Sequence, residues 1–111
     1  MIFQEVDGVR YSPEEGSIVA ESYGEKKKLF LDEDAKDFCV GVYGDGCGGG
    51  RIFVLYASYV KVYDLESDAE TLLLDELQES QNISKNGCIL SIQTASETVK
   101  FNLSSMSKEK A

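Results

Sequence analysis

The chain has 111 residues, 42% hydrophobic and 28% charged, a balance that argues for one folded domain and excludes a compositionally disordered segment. The net charge is −9 and there is no histidine. An acidic surface repels nucleic-acid phosphate and anionic lipid, so neither is expected as a partner. The missing imidazole removes the commonest general base, the usual serine or cysteine triad and the commonest metal ligand.

Ile2–Val6 and Val9–Tyr11 flank Asp7-Gly8, a dipeptide that favours a tight hairpin because both residues tolerate positive φ. Ser12-Pro13-Glu14-Glu15-Gly16 reads as a single helical turn or type I turn, with Ser12 as cap, Pro13 in the first helical position and Gly16 closing it. A second hairpin pairs Ser17–Ser22 with Lys26–Leu31 around Tyr23-Gly24-Glu25, and carries the basic cluster Lys26-Lys27-Lys28. Asp32–Asp37 is an acidic connector. Asp32, Asp34 and Asp37 lack the glycine and the distal glutamate of an EF-hand, so a solvated turn is expected.

Phe38–Tyr43 predicts a strand that leads into the glycine run Gly44–Gly50. Gly44, Gly46 and Gly49 match a GxGxxG spacing, but the run enters a strand and not a helix, so no helix N-terminus faces a phosphate. A mobile hairpin loop is expected there, with Cys47 exposed in it. Arg51–Leu65, RIFVLYASYVKVYDL, is the most apolar stretch and reads as two strands meeting near Ala57–Ser58. Ile52–Ala57 is apolar at every position, as in a strand covered on both faces. Val60 and Val62 alternate with Tyr59, Lys61 and Tyr63, as in a half-buried strand.

Ser67 and Glu70 have capping-box spacing, and the good helix formers that follow predict an amphipathic helix over about residues 68–80. Ala69, Leu73, Leu74 and Leu77 would share its apolar face. The rival reading is a strand over Thr71–Leu74. Asn86-Gly87 marks a turn, and Cys88–Gln93 with Glu97–Leu103 forms a last hairpin through Thr94-Ala95-Ser96. The segments VKVYDLES and NGCILSIQTASETVKFNLSS resemble propeller-blade strands, in a chain too short to close a propeller. The expected fold is α+β: antiparallel β-hairpins forming a sheet or open barrel with one amphipathic helix. Residues 1–104 would form a single compact domain and 105–111 a frayed tail.

Cys39, Cys47 and Cys88 form no CxxC or other metal-type spacing. The N-terminus has no basic start and no long apolar run, and no stretch approaches a membrane span. The expectation is a reduced, cytoplasmic protein with no metal, no cofactor and no membrane partner. Cys39 and Cys88 would act as small hydrophobes in strands. Cys47 has the one reactive setting, although Asp45 opposes a thiolate and only Arg51 is near enough in sequence to favour it.

Charge placement carries the functional reading. Asp64, Glu66, Asp68, Glu70, Asp75, Glu76 and Glu79 follow Lys61 without an intervening base. On the expected helix Asp68, Asp75 and Glu79 share one face, with Glu76 at its edge and Leu72 among them. An apolar side chain ringed by acids suits a binding anchor in a charged rim; the plainer alternative is a solvated face with one stray leucine. Asp64, Glu66, Asp68, Leu72, Asp75, Glu76 and Glu79 are therefore the candidate partner-binding residues, and none is expected to be catalytic. In size, acidity and lack of catalytic residues, the chain resembles the small immunity proteins that neutralise bacterial toxins, including those of contact-dependent inhibition systems, and phage-encoded inhibitors. The resemblance is one of overall character, without a shared motif, and transfers no site residues. It implies a stoichiometric, non-enzymatic inhibitor in a tight complex with one basic toxin, for example a nuclease. Two other classes are a β-rich structural or adaptor domain, as part of a larger β assembly, and a thiol enzyme using Cys47. The sequence sets no oligomeric state.

Overall fold

The computed structural model describes residues 2–31 and 35–109. Their twelve strands form three antiparallel four-stranded sheets, each a meander in chain order. Sheet 1 contains β1 (Gln4–Val6), β2 (Val9–Glu14), β3 (Ser17–Ser22) and β4 (Glu25–Phe30). Sheet 2 contains β5 (Asp37–Val42), β6 (Cys47–Leu55), β7 (Val60–Asp64) and β8 (Glu70–Leu74). Sheet 3 contains β9 (Ser80–Asn86), β10 (Ile89–Thr94), β11 (Thr98–Asn102) and the two-residue β12 (Ser107–Lys108). Two of the expected turns form as the sequence reading has them. Asp7 and Gly8 join β1 to β2, and Tyr23 and Gly24 join β3 to β4, all four with positive φ.

Sheet 2 is the middle layer. Side chains of β6 alternate between two cores: Ile52 and Val54 pack with Tyr11, Ile18, Ala20 and Leu29 of sheet 1, while Phe53 and Leu55 pack with Ile83, Leu90, Ile92 and Phe101 of sheet 3. A strand buried on both faces must be apolar throughout, which accounts for the composition of Ile52–Tyr56. The two outer sheets turn polar faces to solvent. On sheet 1 the cross-strand pair Glu21 and Lys26 makes an ion pair at 3.7 Å. On sheet 3 Thr98 Oγ1 donates to Gln93 Oε1 at 2.8 Å.

The sheets converge at their first strands, with β5 lying against both β1 and β9. Side chains satisfy backbone groups across this seam. Gln4 Nε2 donates to the Phe38 carbonyl at 2.7 Å, and the Ile83 amide donates to Asp37 Oδ2 at 2.9 Å. On the far side the sheets diverge, and a groove of about 580 Å³ opens between sheets 2 and 3.

The fold is therefore all-β, and the expected helix over 68–80 does not form. A helix of that length is marginal alone, since roughly 12–15 residues are needed even for good formers. Sheet pairing competes with it and wins. Asp64 Oδ1 accepts hydrogen bonds from the Glu66 and Ser67 amides at 2.9 and 3.4 Å, which closes a turn before any helix can start. Asp68 takes positive φ, and the next residues pair with β7 as β8, close to the rival strand reading. The Ser12–Gly16 helical turn is likewise replaced: Ser12–Glu14 completes β2, and Gly16 serves the following hairpin. The glycine run is not a loop. After a single 3-10 turn at Tyr43–Asp45, β6 begins at Cys47. A Cβ at Gly41 would lie 1.7 Å from the Gly48 carbonyl oxygen, so glycine is required there for the chains to pass. Ser107–Lys108 pairs with Phe101 and Asn102 instead of fraying. Asp32 and Asp34 of the acidic connector lie outside the described residues.

Leu55 is fully buried in the sheet 2–sheet 3 core. Leu55→Ala should lower the free energy of unfolding by about 2–5 kcal/mol, read from urea denaturation, whereas an alanine at the exposed Leu72 should change it by well under half that range.

Candidate functional site

The seven partner-binding candidates do not share a helix face. Asp64, Glu66 and Asp68 lie in and beside the β7–β8 turn, Leu72 lies within β8, and Asp75, Glu76 and Glu79 lie between β8 and β9. Strand β8 separates the first acidic group from the second by roughly 17 Å, at about 3.4 Å per residue. Leu72, at 57% exposure, stands between them. It lines a shallow surface pocket of about 330 Å³ with Tyr59, Lys61, Asp75 and Glu76. The structure thus unites Leu72, Asp75 and Glu76, and leaves Glu66 exposed at the other end of the strand.

Two of the seven have structural roles. Asp64 closes its own turn and pairs with Arg51 Nε at 3.7 Å. Asp68 pairs with Lys27 and accepts a hydrogen bond from Tyr63 Oη at 3.0 Å. Lys27 projects from sheet 1 and also donates to the Leu65 carbonyl at 2.9 Å, so the group clasps sheet 1 to the β7–β8 turn. The hydrogen bond from Lys27, then that from Tyr63, holds the Asp68 carboxyl below its usual range. The bond to Asp68 raises the Lys27 ammonium in turn.

Strand β8 is an outer edge of sheet 2. Its hydrogen-bonding direction follows from its neighbours. The Leu65 amide bonds to the Gly50 carbonyl and the Asp64 amide to the Ala69 carbonyl, so Lys61, Tyr63 and Leu65 bond toward β6, and Val60, Val62 and Asp64 toward β8. Val62 opposes Thr71, whose backbone groups therefore face β7. Those of Glu70 and Leu72 face outward. A register shift between Val60 and Lys61 lies just beyond this window. Beside the edge runs the groove between sheets 2 and 3, with Phe53, Val62, Thr71, Leu73, Leu103 and Met106 in its wall. Sequence reasoning missed Leu103 and Met106 as wall residues, having read the chain after Leu103 as a tail. The usable signal was the apolar pair itself in an otherwise polar segment.

Cys47 and Cys88 form a disulfide that joins the start of β6 to the β9–β10 turn. This corrects the expectation of an exposed Cys47 thiol and of Cys88 as a strand hydrophobe. The two residues are 41 apart in sequence and meet because sheets 2 and 3 stack. Beside the bridge the nearly buried Lys85 pairs with Asp45 at 2.9 Å. Cys39 remains a free thiol in the core, where burial, and then the nearby Asp37, pushes it up to about 12. Among the described residues no cluster of three or more potential ligands could hold a metal ion, and no helix is long and apolar enough to cross a membrane. Comparison with protein-family models and with curated proteins finds no match.

Two outcomes follow from this chemistry. The Asp68 carboxyl should titrate below the ordinary carboxylate range by carbon NMR, and rise toward that range in Lys27→Ala, with the Tyr63 hydrogen bond still holding it somewhat down. Because its folded pKa is depressed, the clasp's contribution is present above pH 4 and is lost as pH falls through the folded value. The native protein should show no thiol reactive at neutral pH, and exactly one alkylatable cysteine once unfolded without reductant. The double variant Cys47→Ser, Cys88→Ser should lose about 2–4 kcal/mol of stability in denaturant titration.

Proposed function

We propose that this chain is a non-catalytic binding protein, a stoichiometric inhibitor that neutralises a basic toxin through its acidic β8 edge. One observation carries the reading. Seven acids, with no lysine or arginine between Val62 and Ser84, lie in β8 and at its two ends around the exposed Leu72. Asp64, Asp68 and Glu70 pair with Arg51, Lys27 and Lys61, so the field is carried chiefly by Glu66 at one end and Asp75, Glu76 and Glu79 at the other. Such a field speeds encounter with a cationic surface, and an apolar anchor slows release. The overall character shared with toxin-immunity proteins supports the same reading, and a nuclease, whose substrate cleft must be cationic, is a fitting target.

The competing classes draw less support. A thiol enzyme would need Cys47 free, and that sulfur is in a disulfide. A layer in a larger β assembly would call for broad apolar outer faces, and those of sheets 1 and 3 are mainly polar, the exposed Phe3 and Phe30 on sheet 1 lying under Arg10 and Lys28. The disulfide also bears on location. Such bridges persist where thiols are kept oxidised, which supports an oxidising compartment over the cytoplasmic site expected from the sequence.

The test begins with capture of the partner from the native source and titration of its activity, which should fall to zero at one inhibitor per target. The triple variant Asp75→Lys, Glu76→Lys, Glu79→Lys should slow association about tenfold or more at low ionic strength, with the difference shrinking as salt is added. Association unchanged by this reversal would end the reading.

A further inference from the structure

The outer edges of the three sheets are not alike. Edge β4 reads Glu-Lys-Lys-Lys-Leu-Phe, and its lysines guard it against pairing with another chain. Edge β12 is two residues long, which is a guard of another kind. Edge β8 reads Glu-Thr-Leu-Leu-Leu, with neither lysine nor proline, and directs the backbone groups of Glu70 and Leu72 away from β7. Of the inner edges, β5 lies against both β1 and β9. Among the described residues, edge β8 is thus the least guarded outer edge, with only Glu70 at its start and a register shift at its end.

We propose that β8 is a strand-addition site, and that its occupant is an extended segment of a basic partner in which apolar residues alternate with lysine or arginine. The inference rests on the acidic-edge reading above and specifies how that edge binds. Backbone bonds to Glu70 and Leu72 would hold the added strand. Strand alternation sends every second side chain of such a segment to one face of sheet 2. On the sheet 3 side those side chains meet the apolar groove wall formed by Phe53, Val62, Leu73 and Leu103. On the opposite side they meet Glu70, which pairs with Lys61 at 3.1 Å, then Leu72, and beyond it Asp75 and Glu76, whose carboxylates favour cations at that end of the strand. A second copy of this chain fits worse. Antiparallel self-pairing about Leu72 would bring the same acids together twice, and opposed like charges are destabilising.

The probe is a fluorescein-labelled heptapeptide of alternating lysine and valine, followed by fluorescence polarisation. It should bind saturably, and a glutamate–valine counterpart should not. Leu72→Pro removes the outward amide without touching the β7 ladder, as edge prolines do, and should weaken binding about tenfold or more. On the unaltered protein, N-methylation of alternate peptide amides should weaken binding equally in one of the two registers, and hydrogen exchange of the Glu70 and Leu72 amides should slow on binding. The N-methylated peptides keep the test valid should Leu72→Pro not fold. Binding that survives N-methylation in both registers, but is lost in the Asp75→Lys, Glu76→Lys, Glu79→Lys variant, overturns strand addition and leaves the acidic-edge reading standing. Equal binding of the lysine and glutamate peptides overturns both. A stable dimer in sedimentation that Leu72→Pro dissociates would assign the edge to a second copy and overturn the proposal.

Discussion

Strand β6 has solvent on neither face over Ile52–Leu55, and the architecture follows from that. A strand covered on both sides needs two further layers, and the chain supplies one before it and one after it. Ile52 and Val54 require the inner face of sheet 1; Phe53 and Leu55 require that of sheet 3. At about 1.5–3 kcal/mol for each fully buried side chain of this size, four such residues outweigh any local preference in the flanking segments. The outer sheets can then be amphipathic in the ordinary way, apolar inside and polar outside.

The same demand explains where sequence reading succeeded and failed. The double-sided burial was legible over Ile52–Tyr56, because a continuous apolar run bounded by turn residues has few other homes, although the strand itself ends at Leu55, short of the expected Ala57. The Asp7-Gly8 and Tyr23-Gly24 hairpins were legible, because the turn residues themselves set the φ values. The stretch after Ser67 was misleading, because capping-box spacing and leucine content describe a local preference and β7 presents a non-local one. Ser80–Asn86, polar at six of its seven positions, gave no strand signal; only Ile83 faces the core strongly, and pairing to β10 does the rest. Gly44–Gly50 was misread for a related reason. Glycine is flexible in an unfolded chain, yet it also lets backbones pass close together, and only the packing of Gly41 against Gly48 reveals which property is used.

Of the candidate site, the arrangement on one helix face did not form. Replacing the helix by an edge strand moved the acids from one shared face to the two ends of β8. It kept Leu72 exposed between them and committed Asp68 to the clasp with Lys27. Charge runs are visible in a sequence, but which members are already neutralised by partners distant in the chain is not. The clasp shows the point, since Lys27 comes from the basic cluster of the second hairpin, far from Asp68 in the chain.

The covalent link between Cys47 and Cys88 encloses nearly all of β6, all of β7, β8 and β9, and so the whole acidic edge. A protease that nicks one exposed connection within that ring, such as the stretch around Glu76, would sever the backbone without releasing a fragment. Both halves would stay tethered through sulfur, and through the packed sheets, until a reductant opened the ring. Resistance to digestion and dependence on redox environment are therefore one property in this molecule.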